Sequence, residues 1–181
     1  AVVGEDEQAL AVGVKPAGIL GANVLLCTSF AMDYRSGLAG WNQPALPDAA
    51  EVPAKFDNAS VFVLAEIGGR PLPLLVDTGA SCNLLLFQDW QGGRDEAGEM
   101  HAVRAGTASD EKVIIARLDS LVLGKTIFPA PQFRLNDSHR CLGTTFFAGR
   151  AFRLDPSRQT VEIAPRPAEA IPPGDAAGVR R

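Results

Sequence analysis

The sequence predicts an all-β chain, and three observations carry that expectation. Glycine (18 residues) and proline (13 residues) are spread along 181 positions with few apolar stripes at helical spacing, which favours short strands joined by turns. Short apolar runs are separated by turn signals such as Gly68-Gly69 and Gly124-Lys125. Hydrophobic residues make up 46% of the chain and charged residues 21%, enough for one sizeable core or one domain with an appendage.

Taken in order, residues 8–41 form one apolar-rich unit, and 42–55, with Pro44, Pro47 and Pro53, read as an extended linker. In "SVFVLAEIGGRPLPLLVDTGAS" Val61, Val63 and Ala65 alternate with Phe62, Leu64 and Glu66, so both faces are apolar at first. The Gly68-Gly69 turn then returns a second strand into Asp77, which makes a hairpin. "FQDWQGGRDEAGE" is polar and glycine-rich, hence a surface loop. "MHAVRAGTASDEKVIIARL" reads as two strands around a tip of small residues at 105–109, and "LDSLVLGKTIFPAPQFRL" as a further hairpin turning at Gly124-Lys125. "RCLGTTFFAGRAFRLDPSRQTVEIAP" gives a short helix and two closing strands around 155–158. Beyond Pro165 large apolar residues almost vanish, so disorder is expected there. The chain thus divides into 1–48, a globular unit 49–165, and a tail 166–181.

Several function classes drop out. The net charge is −4 with no basic stripe, which argues against nucleic acid as a partner. The longest apolar run, 19–26, is broken by Gly21 and Asn23 and falls short of the about 20 residues a membrane span needs. No cationic segment precedes an apolar one at the start, so no signal peptide is visible. The first residue, Ala1, is not Met; this suggests a processed product or a piece cut from something longer, and slightly favours the periplasm or exterior over the cytoplasm, with the compartment otherwise open. The arginine-over-lysine, alanine-rich composition suggests a bacterial source. Cys27, Cys82 and Cys141 are odd in number and widely spaced, so neither a disulfide framework nor a CxxC site is expected. His139 and Cys141 form an H-x-C pair, but His101 is the only other histidine. The expectation is therefore a loop histidine and a small buried thiol, with no metal and no organic cofactor.

An internal repeat is present. "ILGANVLLCTSFAMDYRSG" lies on "CLGTTFFAGRAFRLDPSRQ" without a gap, the two copies being 122 residues apart (Gly21 and Gly143). Leu20 meets Leu142, Phe30 meets Phe152, Met32 meets Leu154 and Asp33 meets Asp155.

The stretch "LLVDTGASCNLL" sets one carboxylate in apolar company, where an isolated charge is costly. One reading is an ordinary Asp-x-Gly turn. The other is half of a carboxylate dyad. Glycine permits a tight turn that brings an N–H to the carboxylate, and threonine offers a hydroxyl to a partner strand. Two such carboxylates about 3 Å apart cannot both ionise and so share one proton. The charged member then takes a proton from water while its neighbour donates to a scissile carbonyl.

"LLVDTGAS" resembles the active-site motif of the retropepsin-like aspartic proteases, and the order of elements over about 51–164 is similar to theirs. A hairpin enters the Asp-Thr-Gly, a flap-like hairpin follows, then Cys141-Leu142-Gly143, then the closing "FRLDPSRQTVEI". The resemblance implies a closed, barrel-like β lobe with a flap hairpin and one short helix. It implies Asp77 as the catalytic aspartate, Thr78 as the residue gripping its counterpart across the lobe interface, and Gly79 as backbone support. Ala80, Ser81 and the flap-tip residues Ala105, Gly106 and Thr107 would face a peptide or protein substrate.

One Asp-Thr-Gly cannot make a dyad alone. By the repeat, residues 18–41 resemble the closing segment of a second lobe, which would bring the other aspartate from upstream. The competing account is a homodimer in which two copies of Asp77 meet on a two-fold axis. Two other readings stand beside peptide hydrolysis: a non-catalytic peptide-binding module that keeps the fold, and an unrelated small β domain whose Asp-Thr-Gly is a turn.

Overall fold

The computed structural model describes residues 21–90, 98–103 and 110–166. Two short helices, α1 (Ala22–Leu25) and α2 (Thr144–Phe147), accompany fourteen strands in the described residues. The chain opens with α1, then β1 (Phe30–Asp33) and β2 (Leu38–Trp41). The next strands are β3 (Ala50–Asp57), β4 (Ser60–Ile67), β5 (Arg70–Val76) and β6 (Leu84–Leu86). The flap-like pair is β7 (Gly98–Val103) and β8 (Asp110–Arg117), followed by β9 (Ser120–Leu123), β10 (Thr126–Pro129) and β11 (Gln132–Asn136). The chain ends with β12 (Cys141–Leu142), α2, β13 (Ala151–Asp155) and β14 (Thr160–Ile163).

The strand path runs β2-β1-β13-β14-β3-β4-β5-β12-β6-β11-β8-β7, with β9 and β10 branching from β4. The all-β expectation is met. One detail of it is not: the path is open between β2 and β7 where closure was expected. The one short helix expected within 49–165 is α2, and α1, outside that unit, is the repeat's own copy of it. The linker expected over 42–55 is only half a linker. From Ala50 it pairs with β14, and Pro53, which lacks an N–H, sits where β3 passes from β14 to β4.

The β4–β5 hairpin closes as its sequence dictates. Gly68 and Gly69 both take positive φ (56° and 74°), and Ile67 pairs with Arg70. A two-residue turn of this kind matches the right-handed strand twist and is open to glycine at both positions. In β4, Val61, Val63, Ala65 and Ile67 are buried while Leu64 is 60% exposed, so only one face serves the core. That core gathers Leu74, Leu85, Leu121, Leu123, Phe133, Phe147 and Phe152, all fully buried. Phe147 meets Phe152 at 4.7 Å between ring centroids and Phe146 meets Phe128 at 5.1 Å, which seats α2 on the same core that holds the β5 and β6 strands.

The repeat is a repeat of structure. α1 is α2 displaced by 122 residues, β2 is β14 displaced by 122, and β1 lies within the matching span of β13. The two turns agree as well. Asp33 accepts the Arg35 N–H at 2.9 Å, and Asp155 accepts the Ser157 N–H at 3.1 Å. The turns end on Gly37 (φ 70°) and Gln159 (φ 53°), again equivalent positions. The Arg35 guanidinium holds the Asp33 carboxyl at about 2, so Asp33 is a turn residue with its charge already engaged.

The copies pair with each other. β1 and β13 are antiparallel, with Ala31 opposite Arg153, its own equivalent. Phe30 faces Leu154 and Met32 faces Phe152, so the pairing reads the same from either strand. This is the pattern of a local two-fold axis between two like units. The described part of the first unit is α1, β1 and β2.

Candidate active site

β5 delivers Asp77 to the end of the sheet, and β12 runs parallel beside it, with Leu142 in register with Val76. The Asp77 N–H donates to the Leu142 carbonyl at 3.0 Å, so the last ladder bond fixes where the strand stops. The chain then turns. Asp77 Oδ1 accepts the Gly79 N–H at 2.9 Å and the Ala80 N–H at 3.2 Å. Two bonds on one oxygen hold the carboxyl plane, while Oδ2 takes no hydrogen bond among the described residues. Asp77 is half-buried; Thr78, Gly79 and Ser81 are exposed and Ala80 is half-buried. The carboxylate therefore escapes the cost of isolation in an apolar run, since it stands at the strand's open end.

The turn is braced from the opposite segment. Thr144 N–H donates to the Ala80 carbonyl at 2.9 Å, and its hydroxyl reaches the Ala80 and Ser81 carbonyls at 3.2 and 2.9 Å. Gly143 is obligatory here: a Cβ on it would lie 2.2 Å from the Cys82 carbonyl oxygen and 2.8 Å from that of Ala80. Asn83, 3% exposed, ties three segments together. Its Oδ1 accepts the Gly143 N–H at 2.9 Å, its Nδ2 donates to the Gln132 carbonyl at 2.9 Å, and its N–H donates to the Thr145 hydroxyl at 3.2 Å. A buried amide with these partners met is a rigid joint.

The residues singled out from sequence fall into two sets. Asp77, Thr78, Gly79, Ala80 and Ser81 form one continuous turn. Ala105, Gly106 and Thr107 lie outside the described residues, although β7 and β8 do pair up to Val103 and Asp110 on either side of them. The expected tail begins with Arg166, which donates to the Ala148 and Thr145 carbonyls at 3.0 and 3.1 Å; 167–181 lie outside the described residues.

Sequence reasoning named Gly143 without its contact to the turn, and missed Asn83, Thr144 and the setting of the H-x-C pair. The signal for Asn83 was a lone amide inside "SCNLLL". His139 and Cys141 converge on the site: one carboxylate oxygen of Asp77, one ring nitrogen of His139 and Sγ of Cys141 lie within 4.8 Å of one another. Cys141 is fully buried, and burial, followed by the negative charge of Asp77, pushes its thiol up to about 11. Between them Arg140 forms a two-point ion pair with the buried Asp89, and its carbonyl accepts the Leu75 N–H at 3.1 Å. That anchor sets the loop of His139 against β5.

No protein-family model matches this sequence, and no curated protein matches it. Among solved structures, a retropepsin-like aspartic protease from Rickettsia conorii is similar to the chain at 20% identity. The match covers 64% of this chain and 90% of that one, with a TM-score of 0.49.

Proposed function

We propose that the chain carries one half of an aspartic peptidase site, with Asp77 as one carboxylate of a dyad that activates water for attack on a peptide bond. The observation that carries this reading is the state of the Asp77 carboxyl. One oxygen is fixed by the Gly79 and Ala80 amides, and the other is left open at a braced, solvent-reaching turn. An ordinary Asp-x-Gly turn needs neither the glycine contact from Gly143 nor the threonine clamp from Thr144. With a second carboxylate facing it, one proton is shared; the ionised member takes a proton from water and the protonated one donates to the scissile carbonyl. Thr78, exposed at the same turn, is available to the partner lobe, and Ala80 and Ser81 to a peptide bound as an added strand.

The pairing of β1 with β13 supports a particular source for the partner carboxylate: the lobe whose closing strands are residues 21–41. A homodimer on the same axis would have to displace β1, and in this register it would set Arg153 against a second Arg153 where Ala31 now stands.

The test is Asp77→Asn in the chain joined to its companion lobe. The expected result is loss of peptide cleavage with an unchanged circular-dichroism spectrum, since Asn keeps the Oδ1 acceptor of the turn. Undiminished cleavage would remove the assignment.

A further inference from the structure

We propose that Asp77, His139 and Cys141 together form a binding site for a divalent cation of the zinc class, whose capture occupies the Asp77 carboxylate. The three donors come from the end of β5, the loop before β12, and β12 itself, and their ligating atoms lie within 4.8 Å of one another. Tetrahedral zinc at ordinary bond lengths needs ligand atoms about 3.4–3.6 Å apart, so a small inward adjustment completes three corners. Three protein ligands leave the fourth corner to water, as in other zinc sites of that kind. One oxygen, one imidazole nitrogen and one sulfur suit zinc rather than magnesium or calcium, which take oxygen ligands.

The histidine is oriented for this task. The Asn136 amide is fixed by its own bonds: Nδ2 donates to the Leu85 and His139 carbonyls, and Oδ1 accepts the Ser138 and His139 N–H groups. The single hydroxyl proton of Ser138 goes to that same Oδ1 at 2.6 Å. Toward His139 Nδ1, 2.8 Å away, Ser138 Oγ can then only accept. That contact holds the ring by one nitrogen and leaves the other for a ligand, an arrangement common to metal-binding histidines.

In the sequence, the positions 122 residues earlier carry Ala17 and Ile19, neither of which offers a metal ligand. Loading releases the Cys141 thiol proton to solvent as the S–Zn bond forms. While zinc is held, the Asp77 lone pairs are committed to it and cannot accept a proton from water. That consequence rests on the reading of Asp77 as catalytic; the binding itself does not.

The experiment is calorimetric titration of the reduced chain with Zn2+ alone, on a Cys27→Ser background that removes the exposed thiol. The expected result is one zinc per chain, with affinity falling by at least about tenfold in His139→Ala and again in Cys141→Ser. His139 is exposed, so its variant keeps the fold even where Cys141→Ser disturbs packing. No uptake, or uptake indifferent to His139→Ala, overturns the site. The two readings fail separately. Zinc uptake alongside full cleavage by Asp77→Asn removes the peptidase reading and keeps the metal site, whereas inactive Asp77→Asn without zinc uptake does the reverse.

Discussion

The β1–β2 and β13–β14 hairpins are two copies of one unit with opposite fates. Every residue of β13 and β14 is buried. In the other copy Phe30 and Ala31 are buried, but Leu38 is 71% and Trp41 43% exposed. Their equivalents Thr160 and Ile163 are 7% and 1% exposed. The cause is a neighbour. β14 is covered along its edge by β3, with Ile163 paired to Ala50 and Thr160 to Pro53, whereas β2 ends the strand path. An edge strand with large apolar side chains is a place where another strand can dock.

The charges tell the same story. Arg153 bridges Asp155 at 2.8 Å and Glu162 at 2.7 Å, and donates to the Gln43 carbonyl at 2.9 Å. Glu162 in turn accepts the Leu46 N–H at 2.8 Å. At the equivalent places of the first copy stand Ala31, Asp33 and Gly40. Among the described residues, the copy that carries the buried ion cluster is the one whose strands are covered.

The comparison can be broken at equivalent positions. The largest difference is expected at the two glycines. Gly143→Ala drives a methyl into the Cys82 and Ala80 carbonyls, so it should cost about 3 kcal/mol and disorder the Asp77 turn. Gly21→Ala meets only the flexible Asn23 side chain and should stay within about 1 kcal/mol. Chemical denaturation of both variants decides this; equal losses would deny that only one copy braces a site. A smaller difference is expected at the strand ends. Ile163→Ala empties a sealed position and should cost about 2–5 kcal/mol. Trp41→Ala gives up mainly an edge contact with Phe30 at 5.6 Å, worth about 1 kcal/mol. Similar melting shifts for the two would mean that β2 is as well covered as β14.

Much of this could be read from residues alone, and the exceptions have physical reasons. Alternation and the Gly68-Gly69 turn located β4 and β5, and the turn around 155–158 located β13 and β14, because local sterics decide such hairpins. The ungapped match of Gly21 with Gly143 and Asp33 with Asp155 announced two like units. It did not say that they pair, since strand partners 122 residues apart leave no local trace. Pro53 misled the reading of 50–55, because a proline at the handover between two partner strands looks like a linker in one dimension. Asp77 stood out by chemistry. Asn83 and His139 did not, since their roles depend on which loops the sheet brings together.

The central claim is that residues 21–41 occupy, within the same chain, the place of a second lobe's closing strands. Asp33 and Ala151 face each other across β1 and β13, at a separation a disulfide can span. The direct measurement is the mass of the oxidised Asp33→Cys/Ala151→Cys chain on a Cys27→Ser background. The account predicts a bond formed within one chain, leaving a species of 19.1 kDa. A bond formed between two chains, or four titratable thiols after oxidation in place of the two of Cys82 and Cys141, would contradict it.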